Sequence, residues 1–397
     1  PKARMGMEPY PLSLRSINWI RFLSCNGIND VDIDAVLYAQ LKLLIHKLEY
    51  HLLGNHLLEN GFALLFGAYY FNDPVFYKKA KAILIPELQE QVLGDGGHFE
   101  RSPMYHCIML YRVLDCYNLV RNNALFGKEL EDTLKEKAEV MLGWLEKVVY
   151  SDRRIPLLND AAVGIAPTAK ELNEYGQRLG IFCGKKVRLK ESGYRKVQWG
   201  KFELFIDVGE VGPDYQPGHA HADTFSFELY INGRPVIVDT GTSTYEVNNT
   251  RFYERSTAAH NTVVVSGQNS SQVWAGHRVA RRARVKVLCD EEERVIAVHD
   301  GYKRLRCLHT RKVEKMKEHI RIVDEIDCEG MAYLHFMPKE NIVLDGNRLL
   351  GSDYCIEFKG AREIEPFTSM YASEFNKREE RRSFRVSFDR RLETIIQ

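Results

Sequence analysis

Apolar residues between Val31 and Tyr50 recur at helical spacing. Ile33, Val36, Leu37, Leu41, Leu44, Ile45 and Leu48 form one stripe, and Asp30 or Asp32 stands at its start as a cap. The same period runs through residues 57–71, 74–93, 103–121 and 128–149. Breaks at Asn72-Asp73-Pro74, at the glycines of 94–97 and at Arg121-Asn122-Asn123 separate these segments. Consecutive helices with short connections predict antiparallel pairs. Residues 151–185 read as a connector with loops and one more helix. From about Gln198 the period falls to two. Residues 201–208 and 224–231 alternate like half-buried strands, and Asn232-Gly233-Arg234-Pro235 reads as a tight hairpin turn. Further strand-like runs lie at 260–265, 284–288, 294–299, 305–313, 320–325, 332–337 and 383–388, and the charged tract 377–382 reads as a solvated turn. Helices first and strands after predict two domains, 1–190 and 191–397.

Composition narrows the class. The 397 residues are 45% hydrophobic and 27% charged, enough for an ample core. A net charge of +1 gives no global field that would favour nucleic acid or a membrane surface. The 8 cysteines are scattered without a CxxC pair, so free thiols and a reducing compartment are expected. No run reaches transmembrane length. The opening Pro-Lys-Ala-Arg-Met shows no secretory pattern, which fits either a protein that is not exported or a chain that starts after processing. The 20 Tyr and 19 Phe suit a carbohydrate cleft, although Tyr is also a common strand residue.

Three segments carry candidate chemistry in the second half. They are Gly218-His219-Ala220-His221-Ala222-Asp223, then Val238-Asp239-Thr240-Gly241, then Ala259-His260-Asn261-Thr262. Histidines two apart on a strand share a face. With an Asp and a third His from neighbouring segments they offer nitrogen and oxygen ligands of the kind Zn²⁺ takes. The plain alternative is a set of satisfied polar residues. In the first half, Gly54-Asn55-His56-Leu57-Leu58-Glu59 puts His56 and Glu59 on one helix face; the alternative is a capped helix start, with Asn55 as cap and Glu59 as its partner. A glycine-rich stretch then leads through Glu100, Ser102 and Pro103 to Tyr105 and His106. It reads as a cleft wall and equally as a helix start, with Ser102 as cap and Pro103 at the first position. No nucleophile elbow, Walker loop or dinucleotide fingerprint is present. Asn, Tyr and His around a cleft suit proton abstraction next to a carboxylate. In β-elimination from a uronic-acid polysaccharide, a neutralised carboxylate makes the C5 proton removable, and an acid protonates the departing glycosidic oxygen.

In this order the residues resemble the heparinase II/III-type polysaccharide lyases, to which alginate lyases of the same plan are related. The resemblance runs from about Val31 to the C-terminal strands. It implies an (α/α) toroid-type helical domain, incomplete in this chain, followed by an antiparallel β-sandwich. By that resemblance Asn55 neutralises the uronate carboxylate and His56 assists it or serves as base. Tyr105 is the acid and also a candidate base, and His219 is a catalytic or subsite histidine. His221, Asp239 and His260 would hold a largely structural Zn²⁺. Tyr245 and Glu59 match less regular substrate-side positions. The implied substrate is an acidic polysaccharide such as a glycosaminoglycan, for which Arg251 and Arg255 would supply cleft cations, with a second cluster at Arg278, Arg281, Arg282 and Arg284, although Arg281 and Arg282 read equally as a solvated strand edge. The family's degradative members are exported, which implies the periplasm or the outside. A non-catalytic glycan-binding or polysaccharide-assembly protein with a structural zinc is the alternative. A hydrolase using Glu59 and Asp95 is a third reading, and it needs two carboxyls roughly 5–10 Å apart.

Overall fold

A computed structural model describes residues 5–183 and 187–397. The opening Pro1–Arg4 and the last residues of the expected connector lie outside that range. The described chain divides into two compact units. One takes in residues 5–96, 108–143 and 171–183; the other takes in 97–107, 144–170 and 187–397.

The first unit is helical. It draws on α1 (Pro9–Asn26), α2 (Val31–Ile45), α3 (Gly54–Phe71), α4 (Pro74–Gln91), and parts of α5 (Pro103–Arg121), α6 (Glu129–Val148) and α7 (Ala169–Arg178). Asp30 caps α2 by accepting from the Asp32 and Ile33 amides, and Asp73 caps α4 in the same way. The helix α3 is buried from Gly54 to Tyr69 apart from His56, so it forms the centre of the unit. A side chain at Gly61 would meet Leu84 at 2.9 Å, which fixes how closely α4 approaches. No apolar stripe announces α1. Its buried face mixes Ser13 and Ser16 with Leu12 and Ile17, while Trp19 and Phe22 stay exposed.

The second unit is built on two antiparallel sheets. The smaller runs β1 (Tyr194–Trp199), β2 (Phe202–Asp207), β3 (Phe227–Ile231), β4 (Arg234–Ile237) in that order. Asn232 and Gly233 both take positive φ in the β3–β4 turn, the geometry expected of a tight two-residue hairpin. A short helix α8 (Asn249–Glu254) precedes β5 (Val263–Val264), which pairs with the larger sheet. A two-stranded ribbon follows, β6 (Gln272–Trp274) with β7 (Arg278–Ala280). The larger sheet holds β8 (Val285–Asp290), β9 (Arg294–His299), β10 (His309–Lys315), β11 (Ile320–His335), β12 (Val343–Asp345), β13 (Arg348–Leu350), β14 (Cys355–Glu374) and β15 (Lys377–Ile396). Its order is β12-β13-β14-β15-β11-β10-β9-β8. Phe202, Leu204 and Leu229 of one sheet share a core with Val295, Ile322 and Phe384 of the other, which makes the pair a sandwich.

Three local expectations change. The runs at 320–325 and 332–337 are one strand, β11, interrupted by a bulge between Glu325 and Glu329. The tract 377–382 opens β15 instead of forming a turn, and Arg381 within it is buried, donating to the carbonyls of Val238 and Asp239 and to Thr240 Oγ1. The strand expected from Thr224 starts only at Phe227, because Phe225 takes a φ of +70° in a tight turn where the Ser226 amide donates to Asp223 O. Cys107, Cys116 and Cys307 are buried free thiols, whereas Cys25 and Cys183 are exposed. Among the described residues no helix is long and apolar enough to cross a membrane.

Candidate functional site

The second unit gathers a polar cluster around Asp160, a residue that no motif in the sequence singles out. His219 Nδ1 lies 2.9 Å from one Asp160 oxygen and His221 Nε2 lies 2.8 Å from the other. The His-x-His pair therefore does share a target, but the segment is a turn and not a strand, and the shared target is a carboxylate. Arg251 grips the same carboxylate with both terminal nitrogens, the NH2 contact being 2.8 Å. Burial alone would raise the Asp160 pKa. Arg251 and the two imidazole hydrogen bonds outweigh it and hold this carboxyl well below its usual range. Asp160 is thus a fixed negative charge that accepts the Nδ1 proton of His219 and leaves Nε2 on the side of Glu100.

His219 keeps a side-chain exposure of 17%. Burial works against its charged form. The Asp160 hydrogen bond and Glu100, whose carboxylate lies 3.8 Å from Nε2, more than offset it and raise its pKa. The Tyr105 ring packs on the His219 ring at 3.9 Å, and the Tyr105 hydroxyl lies 3.3 Å from that of Tyr245. Burial, then Asp160 and Tyr105, hold the Tyr245 phenol well above its usual pKa, so it stays protonated. Arg251 also stands over the Tyr245 ring at 4.9 Å. His277, on the β6–β7 turn, completes the rim at 5.1 Å from Tyr245 and 5.6 Å from His219. Tyr105 is aimed by its helix start: Ser102 Oγ accepts the Tyr105 amide and donates to the backbone carbonyl of Asp160, so one cap ties the start of the tyrosine's helix to the Asp160 backbone.

A second polar layer lies deeper in the same unit. His221, Asp239 and His260 are fully buried, and the His221 and His260 rings stand 5.3 Å apart. The Asp239 carboxylate accepts from His260 Nδ1 at 2.8 Å and from the Gly241 amide at 3.2 Å. Gly241 has a φ of +75° and its Cβ position is occupied by Ala372 O at 2.1 Å, which explains a glycine after Asp239-Thr240. Asn261 donates to Phe227 O and Val238 O and accepts the His335 amide, so it sews the two sheets together. Among the described residues, the buried polar atoms without hydrogen-bond partners include His221 Nδ1, His260 Nε2 and Asp223 Oδ2. That set, two imidazole nitrogens and a carboxylate oxygen, has the chemistry Zn²⁺ takes, with Asp239 as the outer carboxylate that fixes the His260 ring. Burial pushes the His221 ring down to about 3, so it is neutral, as a ligand must be. Asp160, His219 and His277 bring three potential ligand atoms within 4.8 Å of one another, but Arg251 already neutralises that carboxylate.

Other expected site residues meet protein partners. The guanidinium groups of Arg251 and Arg255 are buried, and Arg255 donates to the carbonyls of Ala220 and Trp274. Their expected role as cleft cations is corrected to that of internal clamps, because protein acceptors occupy both. Glu59 is fully buried in the helical unit, 2.7 Å from Arg112, and holds that helix packing instead of facing a sugar. Asn55 is buried in the first turn of α3, whose cap position is Leu53 without a side-chain bond, so Asn55 is not the cap. Its neighbour His56 keeps a side-chain exposure of 37%, against Glu49 at 3.1 Å.

Models of two families match this chain: "Heparinase II/III N-terminus" over residues 12–187 and "Heparinase II/III-like, C-terminal" over 184–397. The chain is 27% identical over 343 residues to a heparin-sulfate lyase of Bacteroides stercoris, a match covering 75% of this chain and 48% of that protein. It thus spans about half the length of the curated relatives it matches. The solved structure of a heparinase III has a TM-score of 0.78 at 20% identity, over 98% of this chain and 69% of that one. A heparan sulfate lyase of Pedobacter heparinus has a TM-score of 0.71 at 18% identity, over 98% and 67%.

Proposed function

The chain belongs to the heparinase II/III family, and from that premise we propose that it is a polysaccharide lyase cleaving a uronic-acid-containing glycosaminoglycan by β-elimination. One observation carries the reading: Tyr105, Tyr245 and His219 converge beside a carboxylate that Arg251 keeps charged. Asp160 accepts the Nδ1 proton of His219, and His219 Nε2 or Tyr105 removes the C5 proton. The C–H electron pair becomes the C4=C5 double bond, and the C4–O bond breaks. The departing oxygen takes its proton from the Tyr105 hydroxyl, with Tyr245 as the protonated phenol hydrogen-bonded to it. No water is consumed. The family resemblance assigns to Asn55 and His56 of the helical unit the roles of neutralising the uronate carboxylate and assisting it.

Zn²⁺ is part of the same proposal, with His221 and His260 as its nitrogen ligands, Asp223 as its carboxylate ligand, and the expected ligand Asp239 as the carboxylate that holds the His260 ring. Bound there, the ion would supply fixed positive charge and brace the segment that carries His219. Metal analysis of the purified protein tests this; one zinc per chain that is lost in His221→Ala is expected.

Mass spectrometry of products from heparan sulfate, heparin and unsulfated uronans tests the reaction. An unsaturated product, lighter by one water than the hydrolytic one, is expected. Glycan binding without such product would favour the non-catalytic role, and saturated ends would favour a hydrolase.

A further inference from the structure

A cleft of about 490 Å³ opens in the second unit between the segment 268–273, the residues after β7 and the turn 300–305. None of its lining residues belongs to the Tyr105–His219 cluster. We propose that this cleft is a second anion-binding site, one that takes the acidic sugars of a polysaccharide at a distance from the reacting bond. The proposal rests on the lyase reading for its ligand class, but its evidence is separate.

Charge comes first. Four cations line the cleft, Arg281, Arg282, Lys303 and Arg304, against one carboxylate, Asp300. Two of the four are taken up by the protein itself. Lys303 pairs with Asp300 at 2.7 Å, and Arg282 donates to the carbonyls of Val211, Pro213 and Asp214. Arg281 and Arg304 are exposed, with no hydrogen bond or ion pair to a described residue. Two uncompensated guanidinium groups at one cleft suit carboxylate or sulfate, which they bind in bidentate fashion. Gln268 and Gln272 add amides suited to sugar hydroxyls.

The frame is held by local backbone contacts. Arg281 takes a φ of +46°, a left-handed conformation that residues with a Cβ populate sparsely. The Ala283 amide donates to buried Ser271 Oγ, just behind the cleft wall. Gly301 fills the floor, where a Cβ would lie 2.4 Å from Ser270 O. The β6–β7 ribbon joins this cleft to the candidate site. Its turn carries His277, and its base opens at Gln272 and Arg281. Four residues of strand from His277 to Arg281 span roughly 13 Å, so one chain of a few sugars can reach both ends of the ribbon.

Calorimetry with a heparin hexasaccharide and an unsulfated uronan hexasaccharide tests the site in the full chain carrying Tyr105→Phe, which removes turnover. Adding Arg281→Ala and Arg304→Ala should raise the Kd of at least one hexasaccharide tenfold or more and flatten its salt dependence. The thermal midpoint should stay put, because neither side chain has a partner to lose. Equal affinity with and without the arginines overturns the proposal, as does the absence of binding by both probes. The two readings fail separately. Arginine-dependent binding without unsaturated product from the wild type keeps the cleft and removes the lyase. Product formation with arginine-independent binding does the reverse.

Discussion

Two clusters in the β unit use the same side chains and differ in one respect. Around Asp160, an arginine clamps an aspartate that holds two histidines. Around Asp324, Arg311 clamps an aspartate that holds His309, and His309 in turn holds His299. In the second cluster every ring nitrogen is used. The Gly301 amide donates to His299 Nδ1, His299 Nε2 meets His309 Nδ1 at 3.0 Å, and His309 Nε2 meets Asp324 at 2.7 Å. Both rings are therefore neutral, and the chain is sealed. In the first cluster His219 keeps one nitrogen out of the hydrogen-bond chain, 3.8 Å from Glu100, on a ring that packs against Tyr105. A charged carboxylate with attached imidazoles is thus a structural device by default. It becomes a candidate reactive site only where a ring edge and a phenol are left open to a ligand.

Four experiments can break or sharpen this contrast. The largest effect is expected from Tyr105→Phe, which removes the hydroxyl and keeps the ring on His219. Formation of unsaturated product should fall by about 10²–10⁴-fold with little change in the melting temperature. Asp160→Asn and Asp324→Asn form the direct pair. Each leaves an arginine buried without its charge partner, and each should cost about 3–5 kcal/mol in denaturant unfolding. Only Asp160→Asn should also slow turnover per folded molecule; an equal rate loss in Asp324→Asn would collapse the contrast.

A smaller effect follows from pH. Burial, then the neighbouring imidazole and Arg311, hold His299 well below its usual pKa, and burial lowers His309 as well. The unfolded chain protonates both below about pH 6.5 while the folded chain does not. Stability is therefore full above that pH and falls as pH drops, by up to about 1.4 kcal/mol per pH unit for each histidine. Asp324, depressed by Arg311 and His309 against the opposing effect of burial, adds a further loss once pH falls below roughly 4. Melting curves across pH 4–8 should show this slope, and His309→Asn should flatten it. The smallest effect is expected at the rim. His277 is exposed and bonds only Gly218 O at 3.3 Å, so His277→Ala should change kcat/KM by less than about tenfold.

Much of the architecture could be read from the chain. The expected helix 103–121 is α5 to the residue, and Asp30, Ser102 and the Asn232-Gly233 turn act as their side chains and φ preferences predict. Local chemistry decides these features, so sequence suffices. It does not suffice for α1, whose buried serines break the apolar stripe, or for β11, where a bulge joins two runs that read as separate strands.

The candidate site divides along the same line. The sequence alone named Tyr105, His219, His221, Tyr245, Asp239 and His260 through ordered motifs and a family resemblance, and the structure gathers them in two adjoining layers of one unit. Asp160 lies in an ordinary Asn-Asp pair, 59 residues before His219, and carries no signal until the fold brings the two together. Arg251 and Arg255 could be placed as cations from the sequence, but their buried protein partners could not. A guanidinium looks the same in a run of residues whether it meets solvent or a buried carboxylate. Long-range pairing decides which charges are left for a ligand, and long-range pairing exists only in the folded chain.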